Sequence, residues 1–72
     1  MTIGRIIAEA RKTAGLTQRQ LAELSGVGTT AIWQLENNRV TARFATIQAV
    51  CRVLNIRLQA HLPHRDASID LT

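Results

Sequence analysis

Four side chains within six positions, Thr29, Thr30, Trp33 and Gln34, carry two hydroxyls, an indole and an amide. At about 100° per residue they share one side of a helix, while Gly28, Ala31, Ile32 and Leu35 share the other. No carboxylate interrupts the polar side until Glu36, whereas an ordinary solvated helix more often presents Lys and Glu pairs there. These groups suit the edges of bases: threonine methyls meet thymine methyls, and an amide pairs bidentately with adenine. Thr29, Thr30 and Gln34 are therefore base-reading candidates. For Trp33 two readings stand open, a ring pressed on sugar-phosphate or a thymine methyl, and a ring partly buried against a neighbouring helix. Gln18, Arg39 and Arg43 are candidates for phosphate contacts, Gln18 from a helix N-terminus that favours anions, the arginines from beside the entry of a later helix. The plainer alternative for each of the three is a solvated polar side chain.

The elements that must position these groups follow from the apolar spacing. Leu16, Leu21 and Leu24 mark one short helix face, Ser25-Gly26-Val27-Gly28 reads as a turn, and Ile32 and Leu35 open a second face. Two short amphipathic helices joined by a glycine-containing turn are the sequence form of a helix-turn-helix. Ahead of them, Thr2 caps a predicted helix from Ile3 to Ala14 with Ile3, Ile6, Ile7 and Ala10 inward, and Gly15 ends it. Thr17 and Gln20 form a capping box for the next helix. Beyond Asn38, the segment Arg39-Val40-Thr41 reads as a loop, with Thr41 capping a helix from about Ala42 to Leu54. Phe44, Ile47, Val50, Cys51 and Leu54 make that helix's core stripe, so Cys51 reads as a buried, inert thiol.

Taken together, GLTQ at Gly15 to Gln18, LAELSGV at Leu21 to Val27 and AIWQLEN at Ala31 to Asn37 resemble the Cro/C1-type helix-turn-helix family, also called the xenobiotic-response-element type. The resemblance runs from about Ile3 to Leu54. It implies a mainly α, five-helix, lambda-repressor-like DNA-binding domain. It also implies a partly buried salt bridge between Arg11 and Glu36, and a Gln18 that both touches the DNA backbone and braces the recognition helix. Many family members carry Ser, Thr or Lys where this chain has Gly28, which puts a polar contact from that position in doubt.

Seventy-two residues make one small domain. Such a domain buries only about 60% of its unfolded surface and commonly leans on a partner. There is no apolar run of membrane-spanning length, no signal-peptide pattern, and a single cysteine, which together point to a reducing cytoplasm. A formal charge of +4, with nine Lys and Arg against five Asp and Glu, is what a phosphate-binding surface requires, although it equally describes a generic basic protein. No catalytic constellation, glycine-rich phosphate loop or paired acids is present, so neither an enzyme nor a cofactor is expected. His61 and His64 flank Pro63 with no further ligand, so no metal is expected either.

From Ile56 the period changes. Ile56, Leu58, Ala60 and Leu62 alternate with Arg57, Gln59 and His61, which predicts a short strand over 56–62, or else a loose extension. A lone strand in a helical chain has no partner of its own, so the economical solution pairs it with its copy across a two-fold axis. The expected layout is a DNA-binding domain over 1–55, a dimerising strand over 56–62 and a mobile tail over 63–72, in which Ile69 and Leu71 serve as a hook for a partner or simply fray.

A terminal strand here, with the short loop before the fourth core helix, resembles the HipB-type antitoxins, a branch of the same family. That resemblance implies a homodimeric repressor on a palindromic operator, nucleoid-associated in the cytoplasm, which autoregulates a toxin–antitoxin operon and binds a HipA-like serine/threonine kinase toxin. The alternatives are a stand-alone or phage-type Cro/C1 repressor without a toxin, and a protein-interaction module with little DNA binding.

Overall fold

A computed structural model of the protein describes residues 2–39, 42–61 and 68–71. Four helices are present: α1 Ile3–Thr13, α2 Gln18–Ser25, α3 Thr29–Glu36 and α4 Phe44–Val53, followed by β1 Gln59–His61 and β2 Ser68–Asp70. The starts are written in side chains. The Thr2 hydroxyl accepts the Arg5 N–H and caps α1. Thr17 and Gln20 exchange side chain-to-backbone hydrogen bonds at 3.0 and 2.8 Å in a complete capping box for α2. The stops are written in backbone conformation, with Gly15 and Gly26 both at φ +74°. There the chain needs the left-handed region, which glycine enters at least cost.

The core holds Ile7, Leu21, Ala22, Ile32, Leu35, Val50 and Cys51, each 6% exposed or less. Ile3, Val27, Ala42, Ile47, Val53, Leu54 and Ile56 pack against it as half-buried neighbours. Helix α2 packs against both α3 and α4, and α1 packs against α3, so α3 is held from two sides. Cys51 has its thiol pushed up in pKa by burial, which keeps it protonated at neutral pH and slow to react.

Several expectations need correction. The chain has four helices among its described residues, not five. After α4 the left-handed Asn55, at φ +57°, turns the chain out of helix, and the Ile56 N–H donates back to the Cys51 carbonyl at 2.8 Å. Among the described residues, the strand predicted over 56–62 is realised as β1, Gln59–His61, and its partner lies in the same chain. Residues 68–70, assigned to the tail, form β2 antiparallel to it, with Gln59 opposite Asp70, Ala60 opposite Ile69 and His61 opposite Ser68. The premise that the strand lacks an internal partner is therefore removed. Leu71 extends the pairing by donating its N–H to the Leu58 carbonyl at 2.6 Å, and its own carbonyl accepts from the Gln48 side chain on α4. Leu62, Pro63 and His64 lie outside the described residues, as do Val40 and Thr41.

Helix α4 begins at Phe44, where the apolar stripe begins, with Arg43 in the cap position and no side-chain cap, two residues later than a Thr41 cap would place it. As the first residue of α4, Phe44 overhangs its neighbours and is 50% exposed rather than core. Leu24 is 63% exposed. On α2 the buried line runs through Leu21, Ala22 and the half-buried Ser25, and Leu24 falls on its flank at helical spacing.

Candidate nucleic-acid interface

Helix α3 is only eight residues long, too short to be stable by propensity alone. Its geometry is imposed from outside. Ile32 and Leu35 are buried, which leaves Thr29, Thr30 and Trp33 exposed and Gln34 half-buried. The N-cap is Gly28, which offers no side-chain hydrogen bond, so the first turn of α3 opens towards solvent with two threonines on it. The outer side is thus a patch of hydroxyls, methyls and an indole 46% exposed.

The far end of α3 is locked electrostatically. Arg11 Nε donates to Glu36 Oε2 at 2.7 Å, and Arg11 Nη2 donates to Glu36 Oε1 at 3.0 Å. Arg11 Nη1 also donates to the Leu16 carbonyl at 2.8 Å. This fork-to-fork pairing is the strongest form of an ion pair, and it holds the Arg11 pKa above its ordinary value, chiefly through the hydrogen bond to Glu36. Gln18 joins the same carboxylate, its Nε2 donating to Glu36 Oε1 at 3.2 Å. One carboxylate therefore ties α1, the start of α2 and the end of α3 together. Gln18 retains a second amide hydrogen, beside the first turn of α2.

The two arginines placed near the interface differ in setting. Arg39 is exposed, and its guanidinium carbon lies 5.9 Å from the centroid of the Trp33 ring, a cation–π arrangement. Arg43 is exposed in the cap position of α4. Among the residues proposed for a dimer seam, Ile56 packs on this chain's own core and Leu58 is half-buried. The backbone of Ala60 lies in β1.

Sequence reasoning overlooked two residues that set the pose of α3. Gly4 is buried in α1, where a Cβ would collide with the backbone carbonyls of Leu35 and Glu36. An isolated glycine inside an apolar helix stripe is itself a signal of close backbone approach. Asn38, at φ +54°, ends α3 and donates from Nδ2 to the Thr2 hydroxyl at 3.1 Å. Asparagine just past a helix end is a recognised left-handed stop, and that was the available cue.

Comparison with known proteins agrees with this geometry. A family profile described as Helix-turn-helix matches residues 7–60. The chain is similar to the HTH-type transcriptional regulator PuuR of Escherichia coli (strain K12), at 36% identity over 55 residues covering 76% of this chain and 30% of that protein. It is similar also to the immunity repressor protein of Bacillus phage phi105, at 35% identity over 60 residues covering 83% of this chain and 42% of that protein. The chain thus spans well under half the length of these curated relatives. Among solved structures it superposes on the SinR protein/SinI protein complex with a TM-score of 0.71 and 28% identity, covering 76% of this chain and 54% of that one. No helix among the described residues is long and apolar enough to cross a membrane. With a two-helix unit packed through its apolar side, a polar outer face on its second helix and a profile match across most of its length, the chain belongs to the Cro/C1-type helix-turn-helix family.

Proposed function

We propose that the protein is a sequence-specific repressor that inserts α3 into the major groove of an operator. The observation that carries this reading is the division of α3 into a buried side, Ile32 and Leu35, and an outer side of Thr29, Thr30, Trp33 and Gln34 with no acidic group. Thr29, Thr30 and Gln34 read base edges, and Trp33 lies against sugar or a thymine methyl. Gln18, Arg39 and Arg43 hold phosphates. The basic balance of the chain favours the same partner.

Binding as a homodimer to a palindromic operator, with half-sites about 34 Å apart, suits a helix-turn-helix of this size. The hairpin of β1 and β2 leaves outer edges for a second copy to pair with. An antitoxin role with a HipA-like kinase toxin rests on the sequence resemblance, and its support would be a kinase-like reading frame directly beside this one. Without such a neighbour the stand-alone repressor is the better reading.

Two substitutions test the interface with duplexes selected from a randomised pool. Gln34→Ala is expected to cost about 1–3 kcal/mol on the selected sequence alone. Arg43→Ala is expected to weaken all sequences alike and to reduce the salt slope by about one. Equal losses on selected and scrambled duplexes for Gln34→Ala would remove Gln34 from base reading. A wild-type protein that prefers no sequence would remove the repressor reading itself.

A further inference from the structure

Trp33 is the chain's one tryptophan, and it stands nearly half exposed on the outer side of α3. An exposed aromatic side chain on a helix ordinarily samples several rotamers, and a contact that needs one of them loses affinity to ordering. Here the ring has a clamp. The chain leaves α3 at the left-handed Asn38, and the Arg39 N–H donates back to the Gln34 carbonyl at 2.9 Å. That turn brings Arg39 back along the helix, where its guanidinium lies over the indole face. The backbone beneath is held as well: the Trp33 carbonyl accepts from both the Asn37 N–H at 3.0 Å and the Asn37 side-chain amide at 2.8 Å. No carboxylate of the described residues is placed in an ion pair with Arg39.

We infer that Arg39 is a positioning residue for Trp33, holding the ring in a single pose on the recognition face. It therefore acts on sequence discrimination through the indole as well as on phosphate through its own charge. A planar guanidinium can do both, because stacking uses its face and hydrogen bonding uses its edge. The effect on discrimination rests on the proposed DNA-binding role of α3. The hold on the ring does not.

The test therefore has one arm without DNA. Steady-state anisotropy of Trp33 fluorescence in the free full-length chain is expected to fall in Arg39→Ala, and to fall less in Arg39→Lys, which keeps a cation able to sit over the ring. Circular dichroism melts are expected to show that these exposed substitutions leave the fold intact. In the DNA arm, the ratio of affinities for a pool-selected duplex over a scrambled duplex is expected to fall about fivefold in Arg39→Ala and less in Arg39→Lys. In a Trp33→Ala background, Arg39→Ala should change that ratio by less than about twofold. An unchanged anisotropy in Arg39→Ala overturns the inference. So does a ratio whose losses add independently of Trp33, because that leaves Arg39 as a phosphate contact alone. If the wild type does not discriminate between the duplexes, the DNA-binding role fails, and the anisotropy still decides whether Arg39 holds the ring.

Discussion

Glu36→Ala is expected to destabilise the domain by about 3–5 kcal/mol in urea or thermal unfolding followed by circular dichroism. The carboxylate is 5% exposed and its partner Arg11 12%, so the substitution strands a guanidinium that solvent barely reaches. It also removes the acceptor of the Gln18 amide. A domain of this length has roughly 4–11 kcal/mol of stability in total at about 0.05–0.15 kcal/mol per residue, so the loss is a large fraction of the whole. The expected cost is that of breaking the pair, not its net worth. Replacing both partners, Arg11→Met with Glu36→Leu, should therefore recover much of the loss. A loss below about 1 kcal/mol for Glu36→Ala would mean that the pair behaves as a surface bridge. Since the Arg11 pKa is raised, its contribution is fully present below the unfolded-state pKa and is lost only when strong alkali carries the pH through the folded value.

Gly4→Ala is the second large expectation, at about 2–3 kcal/mol of destabilisation. At an exposed helical site the same change stabilises by roughly 1 kcal/mol through helix propensity. At Gly4 the added methyl meets the carbonyls of Leu35 and Glu36 and the Asn38 side chain. Backbone oxygens at the end of a helix cannot swing aside as a flexible side chain would, so α1 and α3 must separate. Gly28→Ala is the matching control. Its Cβ would have no heavy atom within 4 Å, and Gly28 has an ordinary φ of −65°, so its cost should stay below about 1 kcal/mol, the preference of an N-cap for glycine over alanine. A Gly4→Ala protein as stable as the wild type would show that the two helices have room to spare.

The helical part of this fold was legible because its signals are local and redundant. Thr17 and Gln20 announce the start of α2 by chemistry, Gly26 announces its stop, and Ile32 and Leu35 mark the buried side of α3 by spacing. The C-terminal part was legible only by half. Alternation over Ile56 to Leu62 revealed a strand, but a partner of three residues, Ser68–Asp70, is too short to show any period. Its pairing is a long-range fact that no local pattern carries. Phe44 and Leu24 misled for a related reason, since periodicity says which residues are apolar and not whether a neighbouring element reaches far enough to cover them. At the candidate interface, side-chain types and helical spacing pointed to Thr29, Thr30, Trp33 and Gln34. The cation–π contact of Arg39 with Trp33 was not legible, because it depends on the turn taken at Asn38.

Each of the four helices is followed within two residues by a left-handed residue: Gly15, Gly26, Asn38 and Asn55. Helix length is consequently decided by neighbours in sequence, before any distant contact exists. Helix–coil relaxation takes about 0.1–1 μs, far less than the search for tertiary contacts, so the folding chain meets its packing problem with segments of preset length. Among the described residues, the polar ties that span the chain run from Asn38 to Thr2, from Arg11 and Gln18 to Glu36, from Gln48 to Leu71 and from β1 to β2. Such a map of mostly local contacts belongs with the domains that fold in microseconds to milliseconds. A regulator built this way regains its native form almost as soon as it is released from a ribosome or a chaperone, and its abundance in the cell would follow synthesis and degradation without a folding delay.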